Sequence, residues 1–139
     1  MCRIDCETDK EKKCVYPENL QEHCEKLDGI VSNMDEIVTK LQTVAQQMHS
    51  VENLEKLQNV NKAPLFLTWP VSRYGEVMDE LCSAYSNELK SRIIVKESIA
   101  HSSTKEELSY YVITWVHQPF IDSQVEFLLE SLLQETGHR

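Results

Sequence analysis

The side chains best suited to chemistry in this chain are its thiols and imidazoles. Cysteines stand at positions 2, 6, 14, 24 and 82, and His23 adjoins Cys24. Thiolate and imidazole are the ligands zinc prefers, so Cys2-x3-Cys6-x7-Cys14, completed by His23-Cys24, is the stretch to test for a metal. The spacing argues against one, because the Cys-x2-Cys knuckle is missing. Five cysteines are an odd number, and in a reducing compartment they read as free thiols. Cys24 then packs as a small apolar residue.

His49, His101 and His117 are isolated from one another, and none reads as having an acidic or cysteine partner at ligand spacing. His117, just ahead of Gln118-Pro119, suits a helix C-terminus, where positive charge is welcome. The chain has no P-loop, GxGxxG, GxSxG, HExxH or EF-hand pattern. Its carboxylates fall on polar helix faces. Catalytic residues, cofactor-binding residues and metal ligands are therefore all expected to be none, and the chain reads as non-enzymatic.

Something must still organise 139 residues, of which 41% are hydrophobic. That is one domain's worth of chain with enough apolar side chains for a core. No apolar run approaches the length of a membrane span, and Met1 to Glu7 lacks the apolar stretch of a secretory signal. The expectation is an intracellular, soluble protein without a membrane partner. A net charge of -9 argues against a surface that tracks phosphates, so no direct nucleic-acid binding is expected. Lys90, Arg92 and Lys96 form the one small basic cluster.

The strongest pattern is Leu20, Cys24, Leu27, Val31, Met34, Val38, Leu41, Ala45 and Met48, a heptad seam with steps alternating between four and three. With a at 24, 31, 38 and 45, the g positions Ile30, Ile37, Val44 and Val51 are apolar too. A stripe this broad predicts a long coiled-coil-like helix over 17–49 that buries against two neighbours. Pro17 and Glu18 suit its first turn. Residues 1–16 read as a disordered N-terminus and 17–139 as a single helical domain, with 50–139 the compact part. Glu52 and Glu55 interrupt the seam, which predicts a break near Ser50 and a short helix to Gln58.

Ala63-Pro64-Leu65-Phe66-Leu67-Thr68-Trp69-Pro70 follows, an apolar run bracketed by prolines that bias their predecessors to extended backbone. It reads as a ribbon strapped across the helices or as a docking strip. Ser72 is expected to cap a second helix to about Ala100, with Gly75 in its first turn. Ser103…Glu106 or Thr104…Glu107 opens a third, with Leu108, Tyr111, Val112 and Trp115 inward, and Gln118-Pro119 ends it. Ser123…Glu126 opens a fourth on Val125, Leu128, Leu129, Leu132 and Leu133, and Gly137 terminates it. Trp69 and Trp115 are expected in the core. The fold class is all-α: an irregular helical bundle with one long N-terminal helix, a Pro-bracketed loop and three further helices.

Three blocks carry a resemblance. They are Ala63-Pro64-Leu65-Phe66-Leu67-Thr68-Trp69-Pro70, Trp115-Val116-His117-Gln118-Pro119-Phe120, and Leu129-Glu130-Ser131-Leu132-Leu133-Gln134-Glu135-Thr136-Gly137-His138-Arg139. Tyr85, Glu88-Leu89, Val95, Lys96-Glu97 and Ala100-His101 fall in register between them. From about Cys14 to Arg139 the chain resembles the cyclin-dependent kinase 2-interacting protein family. The resemblance implies a non-catalytic nuclear adaptor of DNA replication, cell division and DNA-damage checkpoint or repair complexes. Its implied partners are proteins: cyclin-dependent kinase 2, the Cdc7 kinase, the ATR pathway, replication-origin factors, and a chaperone-like AAA-type ATPase complex linked to ribosome biogenesis. The family is expected to carry a further, partly basic N-terminal segment.

Two local patterns bear on those partners. None of the four prolines follows Ser or Thr, and no Arg-x-Leu or Lys-x-Leu occurs. The chain therefore lacks both the proline-directed phosphorylation site and the short cyclin-docking pattern. The alternative reading is a purely structural helical subunit of a larger assembly, such as the ATPase complex, with no kinase binding of its own. Candidate partner-binding residues are Leu20, Leu27, Val31, Met34, Val38 and Leu41 on the seam, where a partner coiled-coil helix would lie, and Trp69 and Pro70 on the ribbon.

Overall fold

The computed structural model describes residues 20–58, 64 and 66–139. The expected disorder of 1–16, the start of the helix at Pro17 and the cysteines at 2, 6 and 14 lie outside them. The described residues form four helices in order: α1 (Leu20–Gln58), α2 (Val71–Ile99), α3 (Lys105–His117) and α4 (Ser123–Glu135). Among the described residues there is no strand, and the all-α class holds. Among the described residues no helix is long and apolar enough to cross a membrane.

α2 is the axis of the molecule. α1 packs against it, α3 packs on its C-terminal half and α4 on its N-terminal half, and α1 makes no close backbone approach to α3 or α4. α3 and α4 together act as one helix antiparallel to α2, interrupted at Gln118 to Asp122. Two apolar clusters result. Val77 and Leu81 of α2 meet Val125 and Leu128 of α4, with Trp69 and Ile121 alongside. Val31 and Val38 of α1 meet Leu89 of α2, with Met34, Ile93 and Trp115 alongside. Tyr85 packs against both clusters. Both tryptophans are half-buried at cluster edges, less enclosed than expected.

α1 does not break at Ser50. It runs 39 residues, about 58 Å at 1.5 Å per residue, so the boundary expected at 49/50 falls inside a helix. The apolar seam does stop, but polar contacts replace it. His49 Nε2 lies 2.9 Å from Asp79 of α2, Lys56 Nζ lies 2.9 Å from Glu52, and Ser50 Oγ donates to the Gln46 carbonyl within the helix. Gly75 permits this close approach. It is buried beyond the first turn of α2, and a Cβ there would lie 3.3 Å from both Glu52 and His49.

Helix ends follow local chemistry, with two shifts. Ser72 does not cap α2; the helix begins at Val71, behind Pro70, because Val71 is buried and extends the inward face. Thr104 caps α3 as expected, accepting from the Glu107 N–H, while Glu107 accepts in return from the Ser103 N–H. Gln118 takes a left-handed backbone with φ 48° and stops α3 ahead of Pro119. Asp122, not Ser123, caps α4, accepting from the Val125 N–H at 2.9 Å. Gly137 closes α4 as expected. At φ 78° its N–H reaches the Gln134 carbonyl and the His138 N–H reaches that of Leu133, the paired pattern of a Schellman ending.

Candidate docking surface

The expected partner-binding residues do not form one surface. Val31 and Val38, with Ala45, are buried against α2. Leu20, Leu27, Met34 and Leu41 lie half-buried on the edge of that contact. Trp69 and Pro70 stand at the start of α2, whereas Leu20 and Leu27 lie beside Ile99 at its end. Two separate sites emerge, one closed and one open.

The closed site holds the ribbon. Phe66 to Thr68 bend instead of lying straight, and Glu135 of α4 gathers them. Its carboxylate accepts from the Leu67 N–H at 3.3 Å, from the Thr68 N–H at 3.0 Å and from the Thr68 hydroxyl, with Tyr74 Oη at 3.4 Å. Burial pushes the Glu135 carboxyl up, but the donors from Thr68, Trp69 and Leu67 outweigh it and leave it below the usual glutamate range. Burial and the neighbouring carboxylate push the Tyr74 phenol up. Trp69 tilts onto Tyr74 at 5.3 Å, with the Arg73 guanidinium 5.6 Å from its ring. Nothing in the spacing of the ribbon announces a carboxylate some seventy residues away.

A second carboxylate joins α2, α3 and the link to α4. Glu88 and Arg92 are buried and paired at 3.1 Å. Arg92 also donates to the Trp115 carbonyl at 3.2 Å and lies 4.3 Å over its ring, while Glu88 accepts from the Phe120 N–H at 3.2 Å. The expected basic cluster is thus dissolved. Arg92 is interior, and Lys96 pairs with Asp28 of α1 at 2.7 Å. The i, i+4 spacing of Glu88 and Arg92 is visible in the sequence, but it reads as an ordinary surface pair.

Among the described residues no three His, Cys, Asp or Glu side chains could hold a metal ion together. Burial, then Asp79, pushes the Cys82 thiol up, away from thiolate character. His49 does have acidic partners, against expectation: the hydrogen bond and charge of Asp79 raise it above 6.5, and Glu52 adds to this. The His49-x2-Glu52 spacing was the signal for it.

The open site is apolar. Ile30, Ile37, Val44 and Val51 remain 41–58% exposed, so the long helix buries against one neighbour among the described residues, not two. No residue of α3 is buried; Leu108, Val112 and Val116, one turn apart, are 43–69% exposed. Between α1 and α3 lies a groove. Val95 and Ile99 of α2 and Leu27 of α1 line it together with Val112 and Val116. Toward the start of α3 it widens into a cavity of about 470 Å³ lined by Leu20, Cys24, Ile99 and Leu108. Such a surface suits a helix, since contiguous exposed apolar area on a small domain marks an interaction site.

No protein-family model matches the chain. It is similar to curated proteins named cyclin-dependent kinase 2-interacting protein. Identity is 32% over 134 residues with the Homo sapiens protein, covering 94% of this chain and 63% of that one. It is 33% over 127 residues with that of Bos taurus (89% and 60%) and 31% over 119 residues with that of Xenopus laevis (84% and 58%). The chain therefore spans about six tenths of the length of the curated relatives it matches. Similarity of this extent, at 31–33% identity over most of the chain, supports its membership of the cyclin-dependent kinase 2-interacting protein family.

Proposed function

We propose that this protein is a non-catalytic adaptor that holds a cyclin-dependent kinase through its helical surfaces. The observation that carries the reading is the name shared by its relatives, which describes a protein that binds cyclin-dependent kinase 2. The face of α1 and α3 that is open among the described residues supports it, because an adaptor needs exposed apolar surface. In finer terms the adaptor works in the nucleus, in DNA replication, checkpoint and repair complexes. There it joins cyclin-dependent kinase 2, the Cdc7 kinase and the ATR pathway to origin-bound factors and to a chaperone-like AAA-type ATPase.

The chain holds no Ser-Pro or Thr-Pro dipeptide, so the kinase is a bound partner and the chain is not its proline-directed substrate. Titrating purified cyclin-dependent kinase 2, with and without its cyclin, against the full chain tests this. Saturable binding without phosphate transfer is the expected result. Absence of binding in both states would overturn the kinase reading. A second reading, a structural subunit of an ATPase assembly without kinase contact, is favoured by the groove itself, whose apolar lining stays open among the described residues.

A further inference from the structure

Around the groove, charge is distributed unlike in the rest of the molecule. The apolar line Leu27, Ile30, Met34, Ile37, Leu41, Val44, Met48 and Val51 is a second heptad seam on α1, sharing its d positions with the seam that faces α2. The row flanking it on the solvent side is Lys26, Asn33, Lys40 and Gln47, without a carboxylate. The acids of this stretch, Glu25, Asp28, Asp35 and Glu36, fall on other faces, and Asp28 is spent on Lys96. Across the groove the α3 wall begins with Lys105, and no Asp or Glu lines either part of the cavity. Lys26 pairs with Glu22, whereas Lys40 and Lys105 have no ion-pair partner among the described residues. A chain of net charge -9 thus lines one apolar groove without Asp or Glu and, Glu22 on Lys26 apart, flanks it with unpaired lysines among the described residues.

We propose that this groove seats an amphipathic helix from a protein partner whose residues beside its apolar seam are Asp and Glu. The inference rests on the adaptor reading and names the kind of partner that its open face takes. Flanking charges select partner and orientation in helix pairs. The local lysines decide over the net charge, because exposed charges are screened beyond roughly 8–10 Å at ordinary salt. A second copy of the chain fits poorly. Antiparallel self-pairing sets the lysine row against itself, and parallel pairing sets it against the flank already covered by α2. A bound helix would lie over Leu27 and Val112 in the groove and follow the α1 seam onward to Ile37 and Val44.

The probe is a designed helical peptide of about four heptads with an apolar seam and glutamates beside it, compared with an isomer carrying lysines there. Fluorescence anisotropy with the full chain should show the acidic peptide bound about tenfold or more tightly than the basic one, with the preference shrinking as salt rises. Ile37→Asp should abolish binding while leaving the thermal melt unchanged, since Ile37 is 58% exposed. Lys40→Glu should shift the preference toward the basic peptide. Equal binding of the two peptides, or no binding of either, overturns the proposal. So does a wild-type dimer by sedimentation that Ile37→Asp dissociates, which would make the second copy the occupant. Kinase binding unaffected by Ile37→Asp, with peptide binding lost, separates the groove from the kinase contact. Loss of kinase binding in wild type with peptide binding intact overturns the adaptor reading alone.

Discussion

α3 and α4 are both thirteen residues long, both capped by an oxygen side chain, and each carries six Leu, Val or aromatic residues, yet they meet opposite fates. α4 buries Val125 and Leu128 against Val77 and Leu81, closes with a Schellman turn and clamps the ribbon through Glu135. α3 buries nothing fully and leans on α2 through Trp115 and Arg92. The difference lies in neighbours, not in composition. α4 meets α2 and the ribbon together, whereas α3 lies on α2, touches the α1 cluster only with Trp115 and otherwise faces α1 across a groove. Among the described residues, one half is closed by its own helices and the other leaves apolar side chains exposed.

That contrast can be broken from the hinge between the halves. Arg92→Met leaves Glu88 charged and buried beside apolar groups, and a broken buried pair of this kind typically costs about 3–5 kcal/mol. Urea unfolding should show that loss, and Glu88→Leu added to Arg92→Met should recover part of it. A cost as small as that of a surface pair would mean that the two halves are not joined there.

Paired truncations sharpen the comparison. Leu128→Ala, at 2% exposure, should cost about 2–5 kcal/mol, while Val112→Ala on the groove wall should stay within about 0.5 kcal/mol. Equal losses in thermal or urea melts would show that the groove is already filled. The smallest expected effect is electrostatic. Asp79 raises His49, so the folded chain holds that proton more tightly than the unfolded chain does. The stabilisation is full below about pH 6.5 and fades as pH rises through the raised value. A melting series from pH 5.5 to 8.5 should therefore fall more steeply for wild type than for His49→Gln, with a slope that weakens in salt because the pair is exposed. Parallel slopes would show that the pair contributes nothing.

The sequence revealed what repeats and concealed what reaches. The heptad seam exposed α1, and the Thr104…Glu107 box and Gly137 marked ends that local chemistry alone decides. The false break at Ser50 arose because apolar periodicity cannot register polar contacts between helices such as His49 with Asp79. The expected burial of Leu108 and Val112 came from a real apolar stripe, but periodicity tells which side faces inward only when something lies there. Glu88, Arg92 and Glu135 looked like surface charges. What buries them is Trp115, Phe120 and the ribbon, all distant in sequence. For the docking surface, the apolar g positions were legible as excess, while their exposure and the lysine row beside them needed the fold.

Native-state amide exchange tests the central claim most directly, because sparse burial lowers the free energy of local opening. In the free chain, α3 amides should exchange well before those of α4 and of α2 around Leu81. On adding the acidic helical peptide, protection should rise along α3 and the Ile30 to Val51 stretch and stay constant in α4. Equal protection of α3 and α4 in the free chain, or protection that the peptide leaves unchanged, would contradict a molecule with one closed half and one receptive half.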